Sequence, residues 1–511
     1  MIYDLRKTRK EFIYAILGIF CIGLGRASYF WWLAPVTASA GYACCWMALQ
    51  QWTFRKACAL FFFAYLLQTT WMLSHPYAYI ILVWPILALA LALPLALVSK
   101  IVVKAPYHAI FTPILIASIH TLIEWGWSIL PFGFTLHSAA LCLSWNLSAL
   151  QLAGIVGGIG VSWYVFFTNA LFYYWWKTPT ICRFVGTCFA VLFPYVAGSI
   201  LLKHHTKDAH FQTVAICHME EPPDVFSAHL SPQELVEQEW NKIFPLLLSL
   251  KPGSYDCIVL PEGVVPFAAS AQLFRASKLP SQLGTSQKPL LSSLEISQKL
   301  SSYLQAPLII GLEGRSLDNG RYTSFNSCYC IAQTKMERYD KQLLLPFGEY
   351  IPCECFRKIL SAYGIHNSYS PGTSSVLFEK DTLRAAPFIC YEETSSTYTL
   401  PVYKLQPKLL VSLSNDNWFP CVRNEHFEIA RIRAVELGIP LIRACNQGVS
   451  GVIDGYGQAH GCTKNTKENK LLTVCFPCTT YQKPFPGLQK SLLFVTFFSF
   501  VFSGLCLLRR K

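Results

Sequence analysis

Charged side chains are scarce in this chain. They make up 14% of its 511 residues, where an ordinary soluble protein carries about a quarter. Hydrophobic residues reach 53%, so a single soluble core is excluded and the length asks for at least two units. The formal net charge of +13 would suit a nucleic-acid binder, but no long basic stretch supports it. From His204 to Gly487 the Lys+Arg and Asp+Glu counts nearly cancel. The excess sits in short clusters between apolar runs: Arg6, Lys7, Arg9 and Lys10; Arg55 and Lys56; Lys100 and Lys104; Lys177 and Arg183; Arg509, Arg510 and Lys511. That distribution is a membrane-topology signal. There is no internal repeat. Only Cys475 and Cys478 have a zinc-like spacing, and without a second such pair no metal site is expected.

Long apolar runs are present instead. Residues 12–27, 29–49, 58–73, 77–98, 107–125, 150–176, 181–202 and 492–508 each approach the length of a spanning helix, giving about eight spans. The apolar stretch continues past any small-residue cleavage site, which argues against a cleaved signal peptide. Numbering the spans alternately puts every basic cluster on one side, and the opposite short loops hold Arg26 but no Lys. Both termini are therefore expected in the cytoplasm, with 203–487 outside it. Glu124 and His120 fall near the outer end of the fifth span, where an ionisable group is costly unless paired or wetted. Residues 126–145, broken by Pro131, Gly133 and His137, read as an interfacial or re-entrant segment.

From about residue 211 the pattern changes to short β-branched runs alternating with polar helical ones, which indicates an α/β domain. Strands are expected at 212–217, 257–260, 308–312, 327–332, 388–390, 409–413, 441–444, 451–453 and 471–475. Helices are expected at 232–249, 291–304 and 425–437. Residues 266–289 read as a long exposed loop and, following Glu262, as a candidate lid. The close pairs Cys328/Cys330 and Cys353/Cys355 would be open to disulfide formation outside the cytoplasm, but their connectivity is not legible.

Three stretches carry chemistry. Leu260-Pro261-Glu262 ends one strand, Tyr339-Asp340-Lys341 leads into Pro346-Phe347-Gly348-Glu349-Tyr350, and Phe388-Ile389-Cys390-Tyr391-Glu392 ends another strand in a thiol. A cysteine at a strand-to-loop transition is held rigidly yet reachable, which suits a nucleophile. A carboxylate at Glu262 can take its proton, and the ammonium of Lys341 can lower the thiol pKa and stabilise an oxyanion. The backbone N–H of Tyr391 is the natural second donor.

In this order the motifs resemble the nitrilase superfamily with its Glu-Lys-Cys triad. Set between seven apolar runs and one more, they resemble its membrane-embedded branch, the apolipoprotein N-acyltransferases. The similarity continues through Asn415-Asp416-Asn417-Trp418-Phe419 and Asn446-Gln447-Gly448. The resemblance implies a membrane domain at 1–202, an external nitrilase-like αββα sandwich at 203–487, and a last span with a basic tail at 488–511. It implies Glu262 as proton acceptor, Lys341 as oxyanion and thiolate stabiliser, Cys390 as nucleophile, and Glu349, Tyr391, Glu392 and Trp418 in support. Glu349 would orient Lys341 or help deprotonate an incoming amine. No cofactor and no metal are implied. The implied reaction moves an acyl chain from a membrane phospholipid, with phosphatidylethanolamine the expected donor, through a thioester to the α-amine of a diacylated apolipoprotein. The implied location is a bacterial inner membrane with the catalytic domain in the periplasm.

The chain departs from that pattern at Cys217 to Pro222, at Thr135-Leu136 and at Pro420. Two other readings use the same residues. One is a membrane-tethered amidase or nitrilase of a soluble substrate, which gives no reason for the apolar runs. The other is a non-catalytic lipid-binding or transport protein, which a broken triad would favour.

Overall fold

The computed structural model describes residues 2–26, 30–76, 78–105, 110–130, 133–203, 210–220, 230–318, 320–346, 348–351, 358, 369–463 and 468–478. The expected last span, Cys353/Cys355 and Pro131 lie outside them. The chain divides into two compact units: Met1–Thr206 with Trp418–Leu437 and Gln482–Lys511, and Lys207–Asn417 with Gly438–Tyr481.

The first unit is helical: α1 (Ile2–Leu24), α2 (Tyr42–Ala48), α3 (Phe54–Gln68), α4 (Ile80–Lys104), α5 (Phe111–Ile129), α6 (Ala153–Lys177), α7 (Ile181–Lys203). Among the described residues three helices are long and apolar enough to cross a membrane, α4, α6 and α7. Two of the other runs are interrupted. Residues 29–49 break into Ala34–Val36, a π-helical turn at Thr37–Gly41 and α2, and α3 gives way after Gln68 to a 3-10 turn at Thr70–Ser74.

Several charged groups inside this unit are paired, as a low-dielectric surrounding favours. Glu124 Oε1 accepts from Ser138 Oγ at 2.7 Å and Ser162 Oγ at 2.6 Å, and its Oε2 from the Ala139 N–H at 3.0 Å. That carboxylate ties the short buried turn Ala139–Cys142 to α5 and α6. Arg26, 1% exposed, pairs with Glu425 at 2.5 Å and donates to the Leu136 carbonyl at 2.6 Å. Glu425 belongs to helix α10 (Arg423–Leu437), which groups with this unit. Helix α10 also reaches α6: Glu436 Oε1 accepts from the Gly158 N–H at 2.8 Å, just after a kink where Gly157 has φ 72°.

The second unit is built on two six-stranded sheets. Its strands are β1 (Phe211–His218), β2 (Cys257–Val259), β3 (Gln272–Arg275), β4 (Leu290–Ser292), β5 (Leu308–Asp318), β6 (Arg321–Ala332) and β7 (Lys335–Asp340). They continue as β8 (Phe378–Lys380), β9 (Leu383–Ile389), β10 (Leu409–Asn415), β11 (Leu441–Asn446), β12 (Gly451–Ile453), β13 (Ala459–His460) and β14 (Lys470–Pro477). One sheet runs β14-β1-β2-β5-β6-β7 and the other β13-β12-β11-β10-β9-β8. The parallel pairs are β1/β2, β2/β5, β9/β10 and β10/β11, so these strands leave their sheets at the same end.

The two-residue period of a strand sorts the core into layers. Val214 and Ile216 of β1 lie in the layer between the sheets, with Ile389, Val411 and Leu413 from the second sheet. Ala215 and Cys217, on the other face of β1, lie with the apolar faces of helices α8 (Pro232–Leu248) and α9 (Ser293–Leu304). Capping boxes start both helices, Ser231 with Glu234 and Ser292 with Glu295.

Residues 266–289 are not the long unstructured loop expected. Strands β3 and β4 pair antiparallel, Phe274 is fully buried, and Arg275 and Lys278 both reach Glu237 of α8 at 2.6 Å. Strands of three or four residues are too short to leave a periodic pattern in the sequence.

Candidate active site

Each reactive side chain sits where a strand ends. Glu262 follows β2, Lys341 follows β7, and Cys390 follows β9. Cys390 has φ 51°, a left-handed backbone that turns the chain sharply into a 3-10 turn, Cys390–Thr394. A non-glycine residue persists there only when its surroundings hold it. Glu262 is held by main chain: its carbonyl accepts from Asn446 Nδ2 at 2.7 Å, and β5 passes close behind it. A Cβ on Gly311 would lie 2.6 Å from Glu262 Cα and from the Pro261 carbonyl oxygen, so only glycine leaves β5 that near.

The side chains converge. Lys341, 1% exposed, puts Nζ 2.8 Å from Glu349 Oε1 and 3.4 Å from Glu262 Oε1. Asn326 of β6 donates Nδ2 to the same two carboxylates, at 2.6 Å to Glu262 and 2.7 Å to Glu349. The Leu345 N–H fixes the other Glu349 oxygen at 2.7 Å. The Cys390 thiol approaches the Glu262 carboxylate, and the Asn415 N–H donates to its sulfur. Among the described residues Glu262 Oε2 has no nitrogen or oxygen partner.

Glu392 plays a different part from its neighbours. Its oxygens accept from the N–H groups of Ile389 at 2.8 Å, Gln342 at 2.6 Å and Leu343 at 3.2 Å, and from Tyr339 Oη at 2.7 Å. It thereby ties the turn carrying Cys390 to the backbone beside Lys341. Tyr391 is buried beside it, and its carbonyl accepts from Thr394 Oγ1 at 2.7 Å. Trp418 belongs to the first unit, where its ring stacks on His75 at 5.8 Å.

Electrostatics follow from this crowding. Burial raises the Glu262 carboxyl above its ordinary range; Lys341 opposes that and Glu349 adds to it. Burial alone would depress the Lys341 ammonium, but Glu349 and Glu262 more than reverse this and hold it charged. Burial also pushes the Cys390 thiol up, with Glu262 adding and Lys341 opposing. Lys341 therefore acts in the expected direction without producing a resting thiolate. The sulfur must lose its proton as it attacks, and a carboxylate with a raised pKa is the better base for that.

Sequence reasoning missed Asn326. A lone asparagine in an alternating strand gives no signal of the two carboxylates that it joins.

A family model for carbon-nitrogen hydrolases matches residues 213–460. The apolipoprotein N-acyltransferase of Chlamydia caviae is 26% identical over 94% of this chain and 92% of that protein. This chain is similar to the apolipoprotein N-acyltransferases over nearly its whole length. That of Chlamydia pneumoniae is 31% identical over 62% of this chain and 61% of its own length. A Nesterenkonia AN1 amidase of the nitrilase superfamily aligns over 56% of this chain and 95% of its own, at 16% identity and a TM-score of 0.37. The carbon-nitrogen hydrolase domain and the named relatives support an enzymatic N-acyltransferase role.

Proposed function

We propose that the chain is a phospholipid:apolipoprotein N-acyltransferase of a bacterial inner membrane, with Glu262, Lys341 and Cys390 as its catalytic triad. The observation that carries this reading is the convergence of the Cys390 thiol and the Lys341 ammonium on one carboxylate, Glu262, with Nζ 3.4 Å from its Oε1. In the first step the Cys390 proton passes to Glu262 while Sγ attacks the ester carbonyl carbon. The oxyanion forms beside Lys341 Nζ, with the Tyr391 N–H as second donor. Collapse breaks the ester C–O bond, the departing alkoxide takes the proton from Glu262, and a lysophospholipid leaves a thioester on Cys390.

In the second step the α-amine of a diacylglyceryl-cysteine attacks the thioester carbon. A carboxylate, Glu262 or Glu349, takes the amine proton, the C–S bond breaks, and the thiol is reprotonated. Because both substrates are lipid-anchored, a site held at the membrane turns their encounter into one of high local concentration. The apolar runs and one-sided basic clusters support about eight spans, cytoplasmic termini and a periplasmic catalytic domain.

The test is mass spectrometry of the Cys390 peptide after detergent-purified protein meets phosphatidylethanolamine. An added acyl mass with matching lysophospholipid release is expected. Release of lysophospholipid by Cys390→Ala would overturn the reading.

A further inference from the structure

Strand β11 is buried along its whole length, yet its third residue is Arg443. A guanidinium in such a place is costly unless its N–H groups are used. Arg443 is 0% exposed. Its Nε donates to Glu393 Oε1 at 3.0 Å and its Nη1 to the Val449 carbonyl at 2.9 Å. Its Nη2 donates to Ser414 Oγ at 3.1 Å and to the Asp416 carboxylate at 3.2 and 3.3 Å.

These acceptors share a location. Glu393 lies in the turn that carries Cys390. Ser414 and Asp416 flank Asn415, whose N–H donates to the Cys390 sulfur. The turn that bears the sulfur and the donor that reaches it are thus fastened to one planar, rigid cation. The left-handed backbone at Cys390 needs such outside support.

We propose that Arg443 is a positioning residue for the nucleophile, setting the Cys390 turn against the Asn415 N–H through Glu393 and Asp416. This rests on the reading of Cys390 as nucleophile. A lysine at 443 would keep the charge but is a point donor that cannot span Glu393, Asp416 and the Val449 carbonyl together.

The test uses the full chain in detergent, with rates expressed per folded molecule. Arg443→Lys is expected to slow single-turnover acyl-enzyme formation by about 10- to 100-fold, the scale of a small misplacement of reacting groups, with KM for phospholipid little changed. Iodoacetamide alkylation of Cys390 should fall by a smaller factor. Glu393→Ala, which cuts the link from Arg443 to the turn, should lose about tenfold or more, and Glu393→Gln, which keeps an acceptor for Nε, should lose less. If Arg443→Lys does not fold, the Glu393 pair decides. A lowered melting temperature with unchanged acyl-enzyme and alkylation rates in Arg443→Lys, or equal losses in Glu393→Ala and Glu393→Gln, overturns the proposal. Acylation by Cys390→Ala would instead overturn the nucleophile reading beneath it.

Discussion

The two units each bury a cation, and they treat it differently. In the helical unit Arg26 meets one carboxylate, Glu425, and one carbonyl, that of Leu136. Charge is matched, and a planar fork is held between fixed acceptors. In the sandwich unit Lys341 meets two carboxylates, Glu349 and Glu262, which also share Asn326. There negative charge is in surplus, and burial, opposed by Lys341 and aided by Glu349, raises the Glu262 carboxyl toward its protonated form. The Arg26 pair holds a shape, and the Lys341 cluster makes a place for a proton.

The largest effects should come from the surplus site. Cys390→Ala should abolish acyl-enzyme formation, read by intact mass. Lys341→Met and Glu262→Gln should each cost about a hundredfold or more, and combining them should cost little further because the residues act as a unit. Additive losses would separate their roles. The wild-type rate of acyl-enzyme formation should climb with pH through a value above the ordinary carboxylate range, because Glu262 must be unprotonated to act and burial raises its pKa. With Lys341 held above its ordinary value, no fall is expected below about pH 10. A rate already maximal at about pH 4, the ordinary glutamate value, would contradict this.

The matched pair should respond in stability. Arg26→Met takes the cation away from the buried Glu425 carboxylate, a loss of about 3–5 kcal/mol, whereas Arg26→Met with Glu425→Met should recover most of it. Cys390 alkylation in the folded fraction should stay unchanged in both. Next, Glu349→Gln tests whether surplus charge serves the second step: acyl-enzyme should accumulate while amine acylation, followed by gel shift, falls. Smallest is the double change Arg275→Ala and Lys278→Ala, whose partly exposed pairs with Glu237 should be worth about 1 kcal/mol or less in a melt. A large loss of turnover there would restore the lid expectation.

The sequence made some of this legible and hid the rest for physical reasons. Glu262, Lys341 and Cys390 stand at strand ends that local patterns mark, and α8 and α9 fall within the polar helical runs expected at 232–249 and 291–304. Asn326 and Arg443 gave no such signal, since their roles depend on partners brought near only by folding. The π-helical turn at Thr37–Gly41 is equally silent, because an apolar run reads alike whether it continues or breaks. Helix α10 shows the same limit: Glu425 and Glu436 look like a solvated face until Arg26 and the Gly158 N–H are found against them.

Gly311 has a practical consequence. The three atoms nearest an added Cβ are all main-chain atoms, so the methyl cannot be absorbed by rotating a side chain. Gly311→Ala would keep the thiol, the ammonium and every carboxylate while shifting the base off its mark. Such a variant should be a decoy: chemically complete, yet slow to form the acyl-enzyme.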